Sequence, residues 1–249
     1  MATTEPSWIA LGHPSYVWRF GQDRRMSLVR KHVNLDGKRI LDVGCGIGMY
    51  TRQFRLFSDE VYGVDVDQER VAQASQTLAN VSVAPAEDLP FPDDYFDVVF
   101  MHEVIEHVDD DLLAISEAVR VVAPGGKVVL FAPNRLYLFE THGIYFGKKF
   151  IFRLVPFVNY LPDPLRNVFC PHVRAYTRGD FGRLFAGKQA RVAFHTCVYP
   201  GFDNICARHK RLGVLLRQIL YFLEGTPLHA FGLSHFVVAE KTGEGTPRG

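Results

Sequence analysis

Arg39-Ile40-Leu41-Asp42-Val43-Gly44-Cys45-Gly46-Ile47-Gly48 is the stretch that decides how this chain folds. An apolar run that reads as a buried strand ends in three glycines at alternate positions and leads into a helical pattern. Alternating glycines let the main chain turn sharply and leave it bare, so a ligand can approach the backbone closely. Asp65 stands near the end of a second apolar run, Val61 to Val66, about twenty residues after the first glycine. At that spacing a parallel α/β sheet presents a carboxylate to the hydroxyls of a ribose. The pattern points to an adenosine-containing cofactor.

Outward from this stretch, strands and helices alternate. The first strand reads as 38–43, a helix follows at 49–57, and a second strand at 60–65. Asp67 is placed to cap a helix running to Ala79, because its side chain can accept from the free N–H groups of the first turn. A short strand at 81–84, a strand at 96–101 and a helix at 109–120 come next. Pro124-Gly125-Gly126 then turns the chain into a strand at 127–132. Upstream, Tyr16, Trp18, Phe20, Met26, Leu28 and Val29 among arginines suit a leading helix within 14–34. Such alternation indicates βαβ units and a mostly parallel sheet.

Past Asn134 the pattern breaks. Residues 135–170 are aromatic and basic, and prolines at 156, 162 and 164 interrupt them. The alternation resumes with a helix at 177–185 and a strand at 191–197. An amphipathic helix at 210–223 and a last strand at 233–239 follow. The middle segment reads as an insertion between sheet elements.

Composition narrows the function classes. The 249 residues can bury a substantial core as one domain, and a net charge of +1 gives no general argument for nucleic acid. The four cysteines form no CxxC pair, which argues against a zinc knuckle or a disulfide scaffold. The first residues lack the basic-then-apolar order of a secretion signal, and no run reaches the roughly 18–20 apolar residues of a membrane span. The expected location is therefore the cytoplasm.

The motifs carry more than the glycine turn alone. They run Leu41 to Gly48, Val61-Tyr62-Gly63-Val64-Asp65-Val66, Ala86-Glu87-Asp88-Leu89-Pro90-Phe91 and Phe96-Asp97-Val98-Val99. Glu103-Val104-Ile105-Glu106-His107-Val108 and Pro124-Gly125-Gly126 complete the series. In this order and spacing the chain resembles the class I S-adenosylmethionine-dependent methyltransferases over residues 38–132. Within that class it resembles the group holding the ubiquinone-pathway O-methyltransferases and the type 11 methyltransferases. The resemblance implies an α/β fold with a Rossmann-like, seven-stranded, mostly parallel sheet, helices on both faces and an inserted cap after strand five. The alternation and its break after Asn134 divide one domain into a cofactor-binding core (38–134), a cap or substrate region (135–176), a C-terminal part of the sheet (177–241) and a Gly-, Thr- and Pro-rich tail (242–249) expected to be disordered.

The resemblance implies S-adenosylmethionine as cofactor and supplies an expected site. Gly44, Cys45, Gly46 and Gly48 form the turn, with Cys45 serving as a small residue. Asp65 takes both ribose hydroxyls, Val66 packs on adenine, and Ala86 and Glu87 meet its edge. The family often has Asp directly before that Ala, and this chain has Pro85, so Asp88 or a carbonyl is the candidate for the adenine amino group. Asp42 anchors either the turn or the cofactor amino group, and His102 is counted with the cofactor residues.

Glu103, Glu106 and His107 fall on one face of a helical turn. Two carboxylates and an imidazole there could accept octahedral Mg²⁺ or Mn²⁺. The same ExxEH string occurs in ubiquinone-pathway O-methyltransferases and in small-RNA 2′-O-methyltransferases. The resemblance implies that they use it, with a downstream His, to hold a divalent ion. Here His172 and His142 are the two downstream candidates. The competing reading is a pocket without metal, in which His107 is a general base or a lining residue.

The expected activity is methyl transfer to a small or lipid-like acceptor, on oxygen by the resemblance to the quinone-pathway enzymes. An N- or C-methyltransferase, a nicotinamide-dependent dehydrogenase and a non-catalytic cofactor-binding module are the alternatives. Met49 stands where a dehydrogenase has its third glycine, which disfavours the second of these. Lys148, Lys149, Arg153, Arg166 and Arg174 interleave with Phe146, Phe150, Phe152 and Phe157, which suits contact with a membrane surface or a lid over an apolar acceptor. A nucleic-acid partner is not expected, and the oligomeric state is open.

Overall fold

The computed structural model describes residues 19–243. The glycine-bearing strand, β1 (Ile40–Val43), pairs in parallel with β2 (Val61–Asp65) on one side and β4 (Phe96–His102) on the other. The strand β3 (Val81–Val83) follows β2 at the sheet edge, and β5 (Val122–Pro133) lies beyond β4, both in parallel. The cap between β5 and the end of the sheet holds β6 (Phe139–Glu140), β7 (Ile144–Phe146), β8 (Lys149–Ile151) and β9 (Val155–Pro156). The sheet then closes with β10 (Ala190–Val198) and β11 (Ser234–Lys241), which runs antiparallel to both β10 and β5. The order is β10-β11-β5-β4-β1-β2-β3. The expected seven-stranded, mostly parallel sheet with a cap after the fifth strand is what the chain forms.

Strands buried on both faces explain the near-continuous apolar runs. Because side chains alternate along a strand, Leu41 and Val43 belong to one core cluster and Ile40 to the other. Likewise Val128, Leu130 and Ala132 face one side, whereas Val129 and Phe131 face the opposite one. Helix α1 (Phe20–His32) buries Met26 and Val29 in the second cluster, with Tyr50 and Phe54 of α2 (Met49–Phe54) beside them. The helix α3 (Gln68–Ser75) flanks β2 and β3, and α4 (Asp111–Val121) covers the first cluster with Ala114, Ile115 and Ala118. Asp67 caps α3 as expected, its Oδ1 accepting from the N–H groups of Glu69 and Arg70 at 3.0 and 3.1 Å.

Some boundaries differ from the expected ones. The Pro124-Gly125-Gly126 turn is a bulge inside β5: Phe96 pairs with Val122 while Val98 pairs with Lys127, so the residues between are looped out. Helix α1 begins at Phe20, and Tyr16 and Trp18 lie outside the described residues. Of the expected disordered tail, Thr242 donates to the Gln189 carbonyl at 2.9 Å, and residues 244–249 lie outside the described range. The cap has more regular structure than its sequence suggested. It pairs β6 with β9 and β7 with β8, and adds α5 (Asp163–Phe169). After α6 (Arg178–Phe185) and β10, the short α7 (Asp203–Arg208) leads into α8 (Lys210–Leu223). Helix α8 leaves Leu212, Leu215, Ile219 and Phe222 exposed. Among the described residues no helix is long and apolar enough to cross a membrane.

Candidate active site

The chain passes from β1 to β2 and β3 in one direction, then returns to β4 and β5 on the other side of β1. Ligands of open α/β sheets bind at such a reversal, outside the carboxyl ends of the strands. Three loops meet there: the glycine turn after β1, Asp65 at the end of β2, and the Glu103–His107 segment after β4.

The glycine turn and Asp65 are one unit. Asp65 Oδ2 accepts the Gly46 N–H at 2.8 Å, and Oδ1 accepts the Asp67 N–H at 2.9 Å. The glycines have different reasons. All three have positive φ, but a Cβ at Gly44 would lie 2.4 Å from Val104 Cγ2 and one at Gly48 2.2 Å from Leu78 Cδ1. Among the described residues, nothing lies within 4 Å of a Cβ placed at Gly46. Gly44 and Gly48 therefore serve packing and turn geometry, and Gly46 keeps bare main chain facing open space.

Two cavities share this corner. The first, about 300 Å³, is lined by Asp65, Val66, Ala84, Ala86, Glu87 and Val108 among others. Val66 is 57% exposed, so an apolar face stands open to a flat ring. The second, about 370 Å³, is lined by Arg25, Gly46, Tyr50, His102 and His142 among others. Gly44, Glu103 and His107 border both.

The expected residues do not all reach these cavities. Asp42 lies beneath the turn, 2% exposed, and takes the Thr51 hydroxyl at 2.6 Å. Burial pushes its carboxyl up to about 7. Asp88 is exposed and outside the lining of either cavity. Glu87 lines the first cavity, and its Oε1 accepts the Asp109 N–H at 2.9 Å. Cys45 packs against Gly63, and burial raises its thiol far above the ordinary range, consistent with a small packing residue.

The ExxEH segment is strained and charged. Glu103 sits at φ 55°, a left-handed conformation that side chains other than glycine adopt at a cost. Its Oε1 accepts from Ser234 Oγ at 2.7 Å and lies 3.3 Å from Arg25 Nη1. Arg25 also meets the His102 ring and donates to Ser234 Oγ at 2.9 Å. Burial alone would raise the Glu103 carboxyl, but Arg25 holds it down to about 2. Glu106, 1% exposed, is the opposite case: among the described residues neither carboxyl oxygen has a hydrogen-bond partner. Burial, and then the neighbouring Glu103, push it well above the usual carboxylate range. An orphaned buried carboxyl must either hold its proton or meet a cation.

The cap brings one of the two downstream histidines to this point. One ligand atom each from Glu106, His107 and His142 lies within 4.8 Å of the others. The His172 ring is not in that group; its Nε2 lies 3.3 Å from the His142 carbonyl and its Nδ1 is buried without a partner. Its carbonyl instead accepts from His107 Nδ1 at 3.4 Å. Burial, with His142 close by, lowers His107 to about 4. Arg25 and Ser234 escaped the sequence reading because both are remote from every motif and carry no spacing signal.

Residues 41–130 match a family model described as a methyltransferase domain. The ubiquinone biosynthesis O-methyltransferase of Pseudomonas fluorescens (strain SBW25) is 36% identical over 145 residues, covering 53% of this chain and 60% of that protein. The chain thus spans about 60% of the length of the curated relatives it matches. Among solved structures, an S-adenosylmethionine-dependent methyltransferase from Mesorhizobium loti superposes with a TM-score of 0.62 at 18% identity, over 87% of this chain and 96% of that one. The cyclase SpnF gives 0.57 at 20% identity, over 92% and 84%. The family match supports a methyltransferase domain over residues 41–130, and the superpositions show its Rossmann-like fold. A cyclase on the same frame is a reminder that fold alone does not fix the reaction.

Proposed function

We propose that this chain transfers the methyl group of S-adenosylmethionine to an oxygen of a small or lipid-like acceptor. The observation that carries this reading is the junction of the two cavities at Gly44, Glu103 and His107. The first cavity has the chemistry of an adenosine site: a carboxylate at Asp65 for the ribose hydroxyls, an open apolar face at Val66, and Ala86 and Glu87 at the edge. Gly46 admits the methionine moiety toward the second cavity, where Arg25 and His102 line the wall. Asp42 supports the turn through Thr51 rather than meeting the ligand.

When bound, the sulfonium supplies a methyl group already activated for displacement. The protein has to align the acceptor oxygen with it and keep water out. A hydroxyl acceptor must also lose its proton. His107 donates through Nδ1 to the His172 carbonyl, which leaves its Nε2 lone pair free, 4.0 Å from Glu106 Oε1, to receive that proton. The orphaned Glu106 with His107 and His142 also fits a divalent cation such as Mg²⁺ or Mn²⁺, which would lower the acidity barrier of the acceptor hydroxyl. Glu103 is held by Arg25 and Ser234 at the side of that cluster.

The oxygen acceptor rests on the similarity to proteins named ubiquinone biosynthesis O-methyltransferase. The test is product mass after incubation with deuterium-methyl-labelled cofactor and a panel of catechols, phenols, hydroxylated quinone precursors and amines. Label on oxygen is expected; label on nitrogen or carbon moves the assignment to that atom. Activity that falls with EDTA and returns with Mn²⁺ supports the cation, and indifference to EDTA in metal-free protein removes it.

A second reading concerns the outer surface. Phe146, Phe152, Leu154 and Phe157 on the cap are exposed beside Lys148, Lys149 and Arg153, and α8 exposes its own apolar row. Apolar side chains rimmed by cations suit peripheral contact with an anionic bilayer. Flotation with anionic liposomes checks it; failure to float with them rejects it.

A further inference from the structure

Among the described residues, His142 is the cap residue that brings a ligand atom to the Glu106–His107 corner. Its Nδ1 lies 3.1 Å from Glu140 Oε1 and donates to it, which leaves Nε2 as the free lone pair. Glu140 is itself buried and fully engaged. Its Oε1 also accepts the main-chain N–H groups of Thr141 and His142 at 2.9 Å each, and its Oε2 takes Arg166 Nη2 at 2.9 Å. Arg166, 1% exposed, donates as well to the Val173 carbonyl at 2.8 Å and to Asn159 Oδ1 at 3.3 Å. Asn159 in turn donates to the carbonyls of Tyr137 and Phe139.

This network lies wholly within residues 137–173, yet its product faces the core. Neither Arg166 nor Glu140 lines either cavity of the site. A fixed surface salt bridge would need no such burial. A carboxylate behind an imidazole is the usual arrangement for setting the tautomer and direction of a metal-binding histidine. Glu106 supplies the independent sign of a ligand, since among the described residues both its buried oxygens lack a donor.

We propose that the Arg166–Glu140 pair is a positioning device. It holds His142 Nε2 toward Glu106 and His107, so that a divalent cation is bound from core and cap together and fastens the cap over the acceptor cavity. The inference rests on the reading of Glu106 and His107 as a cation corner. Two imidazoles with a carboxylate suit Mn²⁺, Fe²⁺ or Zn²⁺ better than Mg²⁺, which prefers oxygen ligands and water.

The experiment uses the full chain and Mn²⁺ alone, without acceptor. Calorimetry gives the affinity, pulsed EPR counts nitrogen couplings to the ion, and hydrogen exchange follows residues 137–173. For the parent protein the expected result is Mn²⁺ binding with two histidine nitrogen couplings and slowed exchange in the cap. His142→Ala is expected to keep one coupling, lose the cap protection and bind at least about 10-fold more weakly. Glu140→Gln, which keeps the side-chain shape, is expected to weaken binding by about 10–100-fold with a weakened second coupling. If the parent binds Mn²⁺ and both variants match it in affinity and couplings, the positioning role is overturned and the cation corner stands. If the parent does not bind Mn²⁺, the cation corner and this inference both fail, and cofactor binding by the parent then judges the methyltransferase reading separately.

Discussion

The main-chain N–H of Gly46 donates to Oδ2 of Asp65 at 2.8 Å, across a sequence separation of 19 residues. The glycine turn and the acid at the end of β2 are thus joined before any ligand arrives. Asp65 spends one lone pair on each of two main-chain donors and has others left for the proposed ribose contact. Asp65→Ala removes both services. Hydrogen bonds to a charged acceptor are worth about 1.5–3 kcal/mol each, so S-adenosylmethionine affinity is expected to fall at least about 10-fold by calorimetry.

The glycines separate fold from binding. Gly44→Ala places a Cβ 2.4 Å from Val104 Cγ2 at φ 71°, and is expected to lower the unfolding free energy by more than about 2 kcal/mol in urea melts. Gly46→Ala meets open space and only the left-handed penalty of about 1–2 kcal/mol. Its main loss is expected in cofactor affinity. A Gly46→Ala protein that binds the cofactor as the parent does would contradict the assignment of that space to the methionine moiety.

Arg25 and Glu103 form a partly buried pair beside Glu106, whose carboxyl burial pushes well above the usual carboxylate range. Arg25→Met leaves the Glu103 carboxylate without its cation, and a destabilisation of about 2 kcal/mol or more is expected. Adding Glu103→Gln should restore a large part of it. The double-mutant cycle in chemical denaturation checks this, and strict additivity would argue that the pair contributes nothing.

Asp42 gives a pH dependence with a definite sign. Its carboxyl is raised from 3.8 to about 7 by burial, so the unfolded chain releases this proton at lower pH than the folded one. Stability from this group is therefore lost as pH rises between about 4 and 7, by on the order of 4 kcal/mol. Asp42→Asn, which can still accept from Thr51, is expected to gain on the parent between pH 4.5 and pH 8 in ligand-free urea melts. A constant difference between the two proteins would show that Asp42 is not buried neutral.

Much of this was legible in the sequence, for physical reasons that also mark where reading stops. The strands buried on both faces read as continuous apolar runs, and the turn after β1 needs positive φ at Gly44, Gly46 and Gly48, which the alternate glycines announce. Spacing could not distinguish the three: Val104 and Leu78, which pack on Gly44 and Gly48, come from other elements. Nor could it choose between His142 and His172. In the structure His142 is the one that lies with Glu106 and His107, held by Glu140, whose contact with Arg166 depends on pairing β6 with β9 and seating α5, and no periodicity records it. Asp88 reads as a site residue because it stands in the Ala86–Phe91 motif, whereas the structure leaves it exposed and outside the lining of both cavities.

The central claim is that the joined cavities hold S-adenosylmethionine. Isothermal titration of the parent protein with S-adenosylmethionine and, separately, with NAD⁺ tests it most directly. Saturable binding of the sulfonium compound, lost or much weakened in Asp65→Ala, with no heat from NAD⁺, is the predicted result. Saturable binding of NAD⁺ with none of S-adenosylmethionine would contradict it.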